Sequence, residues 1–339
     1  MKKVAVVILN YNGKGFLEKF LPDVLLHSEP VADVWVADNC SSDGSVELLR
    51  QKFPQVSLIV NESNGGFSTG YNQALSQIKA EYYILLNSDI EVTPNWIEPV
   101  IKLMDQDITI AACQPKIRSY YNKPDFEYAG ASGGFLDKYG YPFCRGRLFQ
   151  HLETDQQQYD DAIEVFWATG ACFFVRAEVY HHLGGLDDDF FAHMEEIDFC
   201  WRAKNKGYKI MVCPQSVVFH IGGGTLPKSS ARKTYLNFRN NFVLLYKNLP
   251  DNRLMKVFIA RLFLDGAAAL KFLLQGGVKD FAAVIRAHFY FYSHFAALKK
   301  KRKNLLQTKV TCLYGGNIAF DHYLWQKKKF TDLNPEHFS

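Results

Sequence analysis

The sequence has few cysteines, and none of them form the pairs that mark metal sites or disulfide frameworks. The seven cysteines of the 339-residue chain are scattered, and no two have C-x-x-C spacing. An odd number without such pairs argues against a disulfide scaffold and structural zinc, and it favours a reducing cytosol. Hydrophobic residues make up 48% of the chain, which is enough for one large domain or two fused domains.

Long apolar runs are also missing. The apolar segment Val4–Leu9 is too short for a signal peptide and is followed at once by polar residues, so we expect a first strand there and no targeting segment. Charged residues interrupt the apolar stretches near the C-terminus that could approach the thickness of a bilayer: Lys256, Arg261, Asp265 and Lys271. We therefore do not expect this region to span a membrane.

The net charge of +4 hides an asymmetry between the two parts of the chain. Residues 249–339 contain 15 Lys and Arg against 6 Asp and Glu, whereas residues 1–248 contain 24 against 29. The basic excess belongs to the C-terminal region alone. The acidic balance of the main body argues against nucleic-acid binding.

The basic cluster Lys299–Lys303 follows an aromatic tract at 288–295. Aromatic rings beside a cluster of cations suit the surface of an anionic membrane. A solvated charge run after a core helix explains the same pattern equally well. Both interpretations stay open, so we expect a cytoplasmic protein that is either free or attached to the inner face of the plasma membrane.

The first third of the chain alternates between two kinds of segment. Short apolar segments predict strands at Val4–Leu9, Val34–Asp38, Ser57–Val60 and Tyr82–Asn87. Helix-like segments lie between and after them, near 15–27, 45–53, 67–79 and 94–106. This alternation predicts βαβ units with right-handed crossovers and a parallel sheet.

Each predicted strand ends in polar residues. They are 10–12 after the first strand, 38–39 after the second, 61–66 after the third and 87–89 after the fourth. Ligands bind at the carboxyl ends of such strands in open α/β sheets, so the four ends predict a cleft. The oxygens of Asn87-Ser88-Asp89 suit Mg²⁺ or Mn²⁺ shared with phosphates. Alternatively, Ser88 or Asp89 caps a helix that begins near Pro94.

The residue types around this cleft suit a nucleotide. Asp38 can accept a hydrogen bond from the imide N–H of uracil or thymine, and the ring of Tyr11 can stack on a base. The segment 64–72 supplies glycines where backbone must approach a ligand closely. It is neither a dinucleotide fingerprint, because Phe67 replaces a glycine, nor a P-loop, because Tyr71 replaces the lysine.

An ordered set of motifs resembles inverting family 2 glycosyltransferases of the GT-A fold, and within them a rhamnosyltransferase-like group. The motifs cover roughly residues 3–248: ILNYNG (8–13), ADNCSSDGS (37–45), NGGFSTGYN (64–72), LLNSD (85–89), GACFFVR (170–176), GGLDDDFF (184–191), EEIDFCWR (195–202) and VFH (218–220).

The resemblance implies an open mixed sheet flanked by helices, a UDP- or dTDP-sugar donor and a saccharide or lipid-linked saccharide acceptor. It implies that Asp38 contacts the base, that Asp89 holds Mn²⁺ or Mg²⁺, and that His220 completes the metal or diphosphate site. The donor contacts that we expect come from Asn10, Tyr11, Asp38, Asn64, Gly66, Asn72, Asn87 and Arg239. Arg239 would clamp the leaving diphosphate, although a solvent-facing arginine on an amphipathic helix fits the sequence nearly as well.

Three carboxylates begin a helical pattern in the middle of the chain. The helix dipole alone explains at least one of them. Asp198 and Arg202 lie four residues apart on one face, so we assign this pair a structural role. Glycosyl transfer needs a carboxylate that takes the proton of the attacking hydroxyl, which makes Glu195 or Glu196 the general base. We favour Glu196, with Glu195 orienting it or binding the acceptor.

Two positions depart from the family pattern. The family has Asp where Glu196 stands, and one extra methylene moves the carboxylate by on the order of an ångström, enough to cost about a hundredfold in rate. The family also has Asp where Asn87 stands, so the metal site has one carboxylate less. A neutral imidazole from His220 then becomes a more plausible ligand, with a preference for Mn²⁺, and the glycines at 222–224 suit a loop over phosphates.

The sequence therefore predicts three parts. They are a nucleotide-sugar-binding half at 1–110, an acceptor-binding and catalytic half at 111–248, and a basic helical region at 249–339. The predicted function is inverting sugar transfer for cell-surface polysaccharide synthesis. Two alternatives are a sugar-nucleotide-binding subunit with weak catalysis and a sugar-phosphate nucleotidyltransferase.

Overall fold

The structure is a computed structural model and describes residues 2–222 and 230–339. Its strands are β1 Val4–Asn10, β2 Ala32–Asp38, β3 Ser57–Val60, β4 Tyr82–Asn87, β5 Ile90–Val92, β6 Ile110–Ser119, β7 Gly134–Asp137, β8 Pro142–Cys144, β9 Arg147–Leu148, β10 His151–Leu152, β11 Ile163–Val165, β12 Cys172–Arg176, β13 Lys209–His220 and β14 Leu313–Tyr314. Its helices are α1 Lys14–Ser28, α2 Ser45–Lys52, α3 Gly66–Leu75, α4 Glu98–Gln106, α5 Ala177–His182, α6 Glu195–Asn205, α7 Ala231–Asn248, α8 Asp251–Leu274, α9 Val278–Ser293, α10 Phe295–Lys303 and α11 Ile318–Tyr323.

The larger sheet is open and mixed. Its strand order is β11-β13-β6-β12-β4-β1-β2-β3, and β5 pairs with β13 off this path. Strands β1 to β4 run parallel to their neighbours among themselves, whereas β12 is antiparallel to both β4 and β6. The predicted mixed α/β architecture is therefore confirmed.

The four strands predicted in the first third are present, and each is followed by a helix or a turn. The helix predicted at 94–106 begins later, at Glu98, because Asn95 is left-handed and Pro99 occupies the first turn. The alternative that Ser88 or Asp89 caps a helix is wrong, since a turn at these residues leads into strand β5.

Apolar side chains on both faces of the sheet explain why its central strands lack polar alternation. Along β1, Val4, Val6 and Ile8 belong to one buried cluster, while Ala5 and Val7 belong to the other. A parallel strand covered by helices on both sides has to be apolar at every position. Burial on both faces thus explains why the central strands are apolar. The polar residues at their carboxyl ends lie at one edge of the sheet.

A second, five-stranded sheet has the order β10-β9-β8-β7-β14. Most of its strands are two to four residues long, and β14 comes from the C-terminal region and pairs in parallel with β7. The predicted helical character of 249–339 is present in α8, α9 and α10. The return of the chain to this sheet was not predicted.

The basic cluster at the end of α10 is partly used inside the protein. Lys301 Nζ lies 2.6 Å from carboxylate oxygens of Asp187 and of Asp189. The buried Arg302 binds the carbonyl oxygen of Tyr246 and the carboxylate of Asp251. A purely solvated run therefore does not describe these two residues, and Lys299, Lys300 and Lys303 are the exposed members.

Two further findings concern the cysteines and the hydropathy of the helices. All seven cysteines carry free thiols. Across residues 2–222 and 230–339, no helix is both long enough and apolar enough to cross a bilayer.

Candidate active site

The ends of three adjacent parallel strands form one wall of a cleft. In the strand register Asn10 is opposite Asp38, and Leu9 is opposite Asn87. Asn10 Nδ2 donates to Asp38 Oδ2 at 2.8 Å, and the backbone N–H of Ser41 donates to Asp38 Oδ1 at 2.7 Å. Two buried polar side chains are thus held at the predicted edge.

The polar atoms at this end of the cleft are not all satisfied. Among the described residues, the buried Oδ1 of Asn10 has no hydrogen-bond partner. Each oxygen of Asp38 accepts one hydrogen bond and keeps a second lone pair for a ligand. Tyr11 follows directly and is 43% exposed, so its ring is accessible for stacking. These contacts suit a base or ribose but do not by themselves identify one.

The glycine segment approaches the middle of the chain very closely. Gly66 has φ +79°, and a Cβ there would lie 2.5 Å from the carbonyl oxygen of Phe191. The N–H of Phe67 donates to that same oxygen at 2.7 Å, while Asn64 Oδ1 accepts from Gly66 N at 3.0 Å. A glycine is therefore required at 66 by the protein's own backbone.

Asn72 holds the segment that leads to the acidic helix. Its Nδ2 donates to the carbonyl oxygen of Leu186 and to Asp188, both at 2.8 Å. Its Oδ1 accepts from the Tyr180 hydroxyl at 2.6 Å and from Leu186 N at 3.0 Å. Because its amide is engaged on both sides, Asn72 positions residues 186–188, and its contact with the donor stays a prediction.

The segment before the acidic helix is strained. Phe191, His193 and Met194 have φ values of 60°, 71° and 73°, a region that residues with a side chain rarely adopt. Such conformations cost on the order of 1–3 kcal/mol each and persist only where the surroundings enforce them. Contacts from elsewhere in the protein must therefore hold residues 190–194.

Two neighbouring residues of α7 supply those contacts. Asn240 Nδ2 donates to the carbonyl oxygens of Phe190 at 3.0 Å, Ala192 at 2.9 Å and His193 at 2.7 Å. Arg239 donates to the carbonyl oxygens of Asp189 and Phe190 at 2.8 and 3.0 Å. The alternative of a solvent-facing Arg239 is therefore wrong, whereas its contact with the donor diphosphate stays a prediction.

The acid pair lies at the start of α6, where this segment ends. Glu195 is buried and Glu196 is half-buried, and within the described residues one oxygen of each has no partner. Burial and the charge of Glu196 raise the pKa of Glu195 well above its ordinary range. Burial raises the pKa of Glu196 to about 7, although backbone hydrogen bonds partly oppose the shift. A carboxylate with a pKa near neutrality is suited to general base catalysis.

Asp198, two residues further along, has a different environment. It pairs with Arg202 Nε at 2.8 Å, as predicted from their spacing, and with Lys247 Nζ at 2.8 Å. Although burial opposes ionisation, the charges of Lys247 and Arg202 keep the pKa of Asp198 below its ordinary value. Arg202 also donates to the carbonyl oxygens of Leu183 and Gly185. The Asp198–Arg202 pair therefore has a structural role, since it connects α6 to the loop at 183–185.

Asp89 and His220 form the other end of the cleft. Asp89 follows β4, His220 ends β13, and the imidazole Nε2 lies 3.2 Å from Asp89 Oδ1. His220 Nδ1 lies 3.3 Å from an oxygen of the buried Glu127. Although burial alone would lower it, these two carboxylates raise the pKa of His220 to about 10.

The fit of a divalent cation follows from this geometry. In the part of the chain that the structure describes, no group of three or more His, Cys, Asp or Glu side chains is arranged to hold a metal. Asp89 and His220 pair with each other at 3.2 Å. They would hold a divalent ion only with the imidazole deprotonated and with phosphate oxygens as further ligands.

A short stretch of backbone joins the two ends of the site. The N–H of Asn87 donates to the carbonyl oxygen of Ala171 at 2.9 Å. The preceding residue, Gly170, lends a backbone hydrogen bond to the carboxylate of Glu196. Two neighbouring residues of one loop, Gly170 and Ala171, therefore contact the carboxylate of Glu196 and the end of β4.

Sequence reasoning missed Glu127 and Asn240. Glu127 lies in a loop with no strand or helix pattern, so nothing in the sequence linked it to His220. Asn240 was visible only as the neighbour of Arg239. The glycines Gly223 and Gly224, expected to cover the phosphates, lie outside the described residues.

Comparisons with known proteins show the family and the fold of the chain. The family model described as "Glycosyl transferase family 2" matches residues 5–184, just over half of the chain. The N-acetylglucosaminyl-diphospho-decaprenol L-rhamnosyltransferase of Mycobacterium tuberculosis is 24% identical over 255 residues, covering 71% of this chain and 83% of that protein.

Two solved structures share the fold. The crystal structure of GalNAc-T7 with UDP, GalNAc and Mn²⁺ has a TM-score of 0.57 at 18% identity, and it matches 74% of this chain but only 49% of its own. The mannosyltransferase PcManGT from Pyrobaculum calidifontis, in complex with GDP-Man and Mn²⁺, has a TM-score of 0.53 at 14% identity. That match covers 96% of this chain and 88% of the mannosyltransferase.

Proposed function

Since this chain belongs to glycosyl transferase family 2 and is a glycosyltransferase, we propose that it transfers a sugar from a nucleotide-diphospho-sugar to an acceptor hydroxyl with inversion. The observation that carries the proposal is Glu196. Its carboxylate is half-buried, has an oxygen without a partner among the described residues, and has a pKa raised by burial to about 7. A base with these properties can take the proton of a hydroxyl as that hydroxyl attacks.

The displacement is a single step. The acceptor oxygen forms a bond to the anomeric carbon while the bond from that carbon to the diphosphate breaks, and the acceptor proton passes to Glu196. Glu195, protonated through burial and the charge beside it, can donate a hydrogen bond to the acceptor or to Glu196. A covalent sugar–enzyme intermediate is not needed in this scheme.

The donor base would lie against the ends of β1 and β2. Asp38 retains acceptor capacity for an imide N–H, Asn10 offers an unpartnered carbonyl oxygen, and Tyr11 offers an exposed ring. This chemistry favours uracil or thymine, and hence a UDP- or dTDP-sugar. The supporting comparison is GalNAc-T7, whose structure contains UDP.

Asp89 and His220 would hold Mn²⁺ or Mg²⁺ together with the donor diphosphate. Bound there, the ion would supply positive charge to the phosphate oxygens. Manganese in both structural neighbours supports this assignment, and the imidazole favours Mn²⁺ over Mg²⁺. Asn87 would contribute an amide oxygen or a hydrogen bond. Asp89 is the one carboxylate that the LLNSD motif provides.

The acceptor that we propose is a saccharide or a lipid-linked saccharide in cell-surface polysaccharide synthesis. The mycobacterial relative is named for a lipid-diphosphate-linked sugar acceptor, which supports the lipid-linked form. We place the reaction on the cytoplasmic side. Attraction of Lys299–Lys303 to an anionic membrane stays a prediction, weakened by the internal pairing of Lys301 and Arg302.

A panel of UDP-, dTDP- and GDP-sugars, with and without Mn²⁺, tests the proposal. Thermal denaturation identifies the donor, because a ligand that binds the folded state raises its apparent stability. Incubation with that donor and a saccharide acceptor should then release the nucleoside diphosphate. Release of pyrophosphate would instead indicate a nucleotidyltransferase. Tight binding without turnover would indicate a binding subunit, which is compatible with the departure of Asn87 and Glu196 from the family pattern.

A further inference from the structure

Helix α8 buries one ion pair and exposes several large apolar side chains. Its inward face contains Arg261 and Asp265, paired at 3.0 Å and almost completely buried. Asp265 also accepts a hydrogen bond from the Tyr141 hydroxyl at 3.0 Å and lies 3.1 Å from His288 Nε2. The same face buries Val257 and Ala269, so the ion pair replaces only part of the apolar contact that a helix usually makes with the core.

The outward face of α8 continues onto α9. We define the apolar face by six exposed side chains: Met255, Ile259, Phe263, Leu270, Leu274 and Phe289. The five on α8 recur at spacings that place them on one stripe of the helix. Between the two helices lies a shallow groove of about 240 Å³, lined mostly by apolar side chains. A contiguous exposed apolar surface of this kind marks an interaction site.

The charges around the apolar face have one sign. Every exposed charged side chain between 255 and 303 is a Lys or an Arg, and Lys256, Lys271, Lys279 and Arg286 flank the face directly. The two acidic residues in this stretch are turned away, since Asp265 is buried and Asp280 is half-buried and accepts from the hydroxyl of Thr234 at 2.6 Å. The expected partner is therefore apolar at its centre and anionic at its edge.

We propose that the apolar face lies in the interfacial layer of an anionic lipid bilayer, parallel to the membrane plane. Apolar side chains of an amphipathic helix enter the boundary between headgroups and acyl chains, and cations beside them bind anionic headgroups. A second copy of this chain is a poorer partner. A two-fold interface brings the same patch together with itself, so the flanking cations would face one another.

Helix α11 extends the same surface. Lys271 Nζ lies 4.5 Å from the ring centre of Tyr323, and Trp325 is exposed just beyond the helix. Tyrosine and tryptophan are enriched at the level of the headgroups because their rings are apolar and their tips are polar. Tyr323 therefore lies beside α8, where its ring can enter the interfacial layer with the apolar face.

Helix α7 lies between the apolar face and the segment that leads to the acid pair. Helix α9 contacts α7 through Thr234 and Asp280, and the ring of Tyr290 lies 5.0 Å from the guanidinium of Arg239. Arg239 in turn holds the strained segment before Glu195. Docking by this face would therefore keep the cleft close to the bilayer, where a lipid-linked acceptor is found.

Co-sedimentation of the full chain with vesicles tests the inference without any donor or acceptor. Two vesicle types are used, pure phosphatidylcholine and phosphatidylcholine with about one third phosphatidylglycerol. Failure of binding would leave the proposed sugar transfer untouched, because the assay does not involve catalysis. We expect strong binding to the anionic vesicles, weak binding to the neutral ones, and a decrease with added salt.

The variant Phe263→Ser with Leu274→Ser removes two side chains that are 76% and 79% exposed. We expect the partition coefficient to fall at least about tenfold, with unchanged thermal denaturation. The matched control is Ile108→Ser with Tyr121→Ser, at sites that are 76% and 78% exposed elsewhere on the protein. It should bind as the wild type does. Lys256→Gln and Lys271→Gln should each weaken binding to anionic vesicles about fivefold.

Three outcomes would overturn the inference. The first is a wild type that sediments with neither vesicle. The second is a Phe263→Ser, Leu274→Ser variant that binds as tightly as the control. The third is a wild-type dimer in light scattering that becomes monomeric in this variant and never binds vesicles, which would assign the face to a second copy.

Discussion

His220 and Asp89 pair at 3.2 Å in the interior of the cleft, although they are 131 residues apart in the chain. Strand pairing brings them together, because His220 ends β13 opposite Ile90, the residue after Asp89. The second nitrogen of His220 faces Glu127 at 3.3 Å. The imidazole of His220 thus lies between two buried carboxylates, and both of them raise its pKa to about 10 and favour its charged form.

Replacing this histidine should destabilise the protein. His220→Gln leaves two buried carboxylates without a positive partner, a change that typically costs about 3–5 kcal/mol. The pKa of His220 is raised from 6.5 to about 10, so its stabilising charge is fully present below pH 6.5 and is lost as pH rises toward 10. Denaturant unfolding in metal-free buffer should show the largest difference at pH 6. His182→Gln, at an exposed site, should change nothing, and an equal loss at both sites would contradict the explanation.

Glu196→Gln should abolish most sugar transfer while leaving donor binding intact. The amide has nearly the shape of the carboxylate but cannot take a proton, and loss of a general base typically costs about 10²–10⁴-fold in rate. The measurements are kcat with a saturating acceptor and donor affinity by calorimetry. Glu178→Gln on the exposed side of α5 is the matched control. Transfer near the wild-type rate would reassign the base.

The rate of transfer should depend on pH through the same residue. Glu196 acts in its charged form and its pKa is raised to about 7, so activity should fall about tenfold per pH unit below 7 and level off above it. Initial rates at saturating donor between pH 5 and pH 9 give the profile. A plateau that extends unchanged down to pH 5 would show that the base has an ordinary carboxylate pKa.

The sequence was sufficient for those parts of the fold that short-range pattern determines. The apolar segments at 4–9, 34–38, 57–60 and 82–87 became strands. Those at 4–9 and 82–87 are buried on both faces and must be apolar throughout, whereas the strand at 57–60 is an edge strand whose Val60 is 49% exposed. The spacing of Asp198 and Arg202 predicted their pairing. Strands of two residues, such as Arg147–Leu148, have no periodicity to detect, which is why the second sheet was not foreseen.

The site was predictable in its residue types but not in its supports. Motif residues at strand ends were placed at one edge as expected, whereas Asn240 and Glu127 act across long sequence separations. No local pattern reports such a contact. Gly66 and Asn72 were predicted as donor contacts, and the structure adds a role that the sequence did not indicate, because both accommodate the backbone of 185–191.

Loss of the hydrogen bonds from α7 should lower the rate of sugar transfer and leave the affinity for the donor nearly unchanged. Asn240→Ala removes three hydrogen bonds to the strained segment 190–194, which should cost about 2–4 kcal/mol of unfolding free energy. Because the segment positions Glu196, a shift of about 1 Å should lower kcat about a hundredfold. Donor affinity, which depends on the strand ends, should stay within a few fold. If kcat is unchanged while stability falls, the segment does not position the base.

Lys301 and Lys300 are adjacent in the chain and have opposite environments, so they form a matched pair for the last test. Lys301 binds Asp187 and Asp189 at 2.6 Å, whereas Lys300 is exposed on α10. Asp187 also pairs with Lys247, which in turn holds Asp198 of the acidic helix. Lys301→Ala should therefore lower both the unfolding free energy, by about 0.5–1 kcal/mol, and kcat. Lys300→Ala should lower neither but should weaken binding to anionic vesicles. Equal effects of the two substitutions on kcat would mean that the charge of α10, and not its tie to Asp187, matters to the reaction.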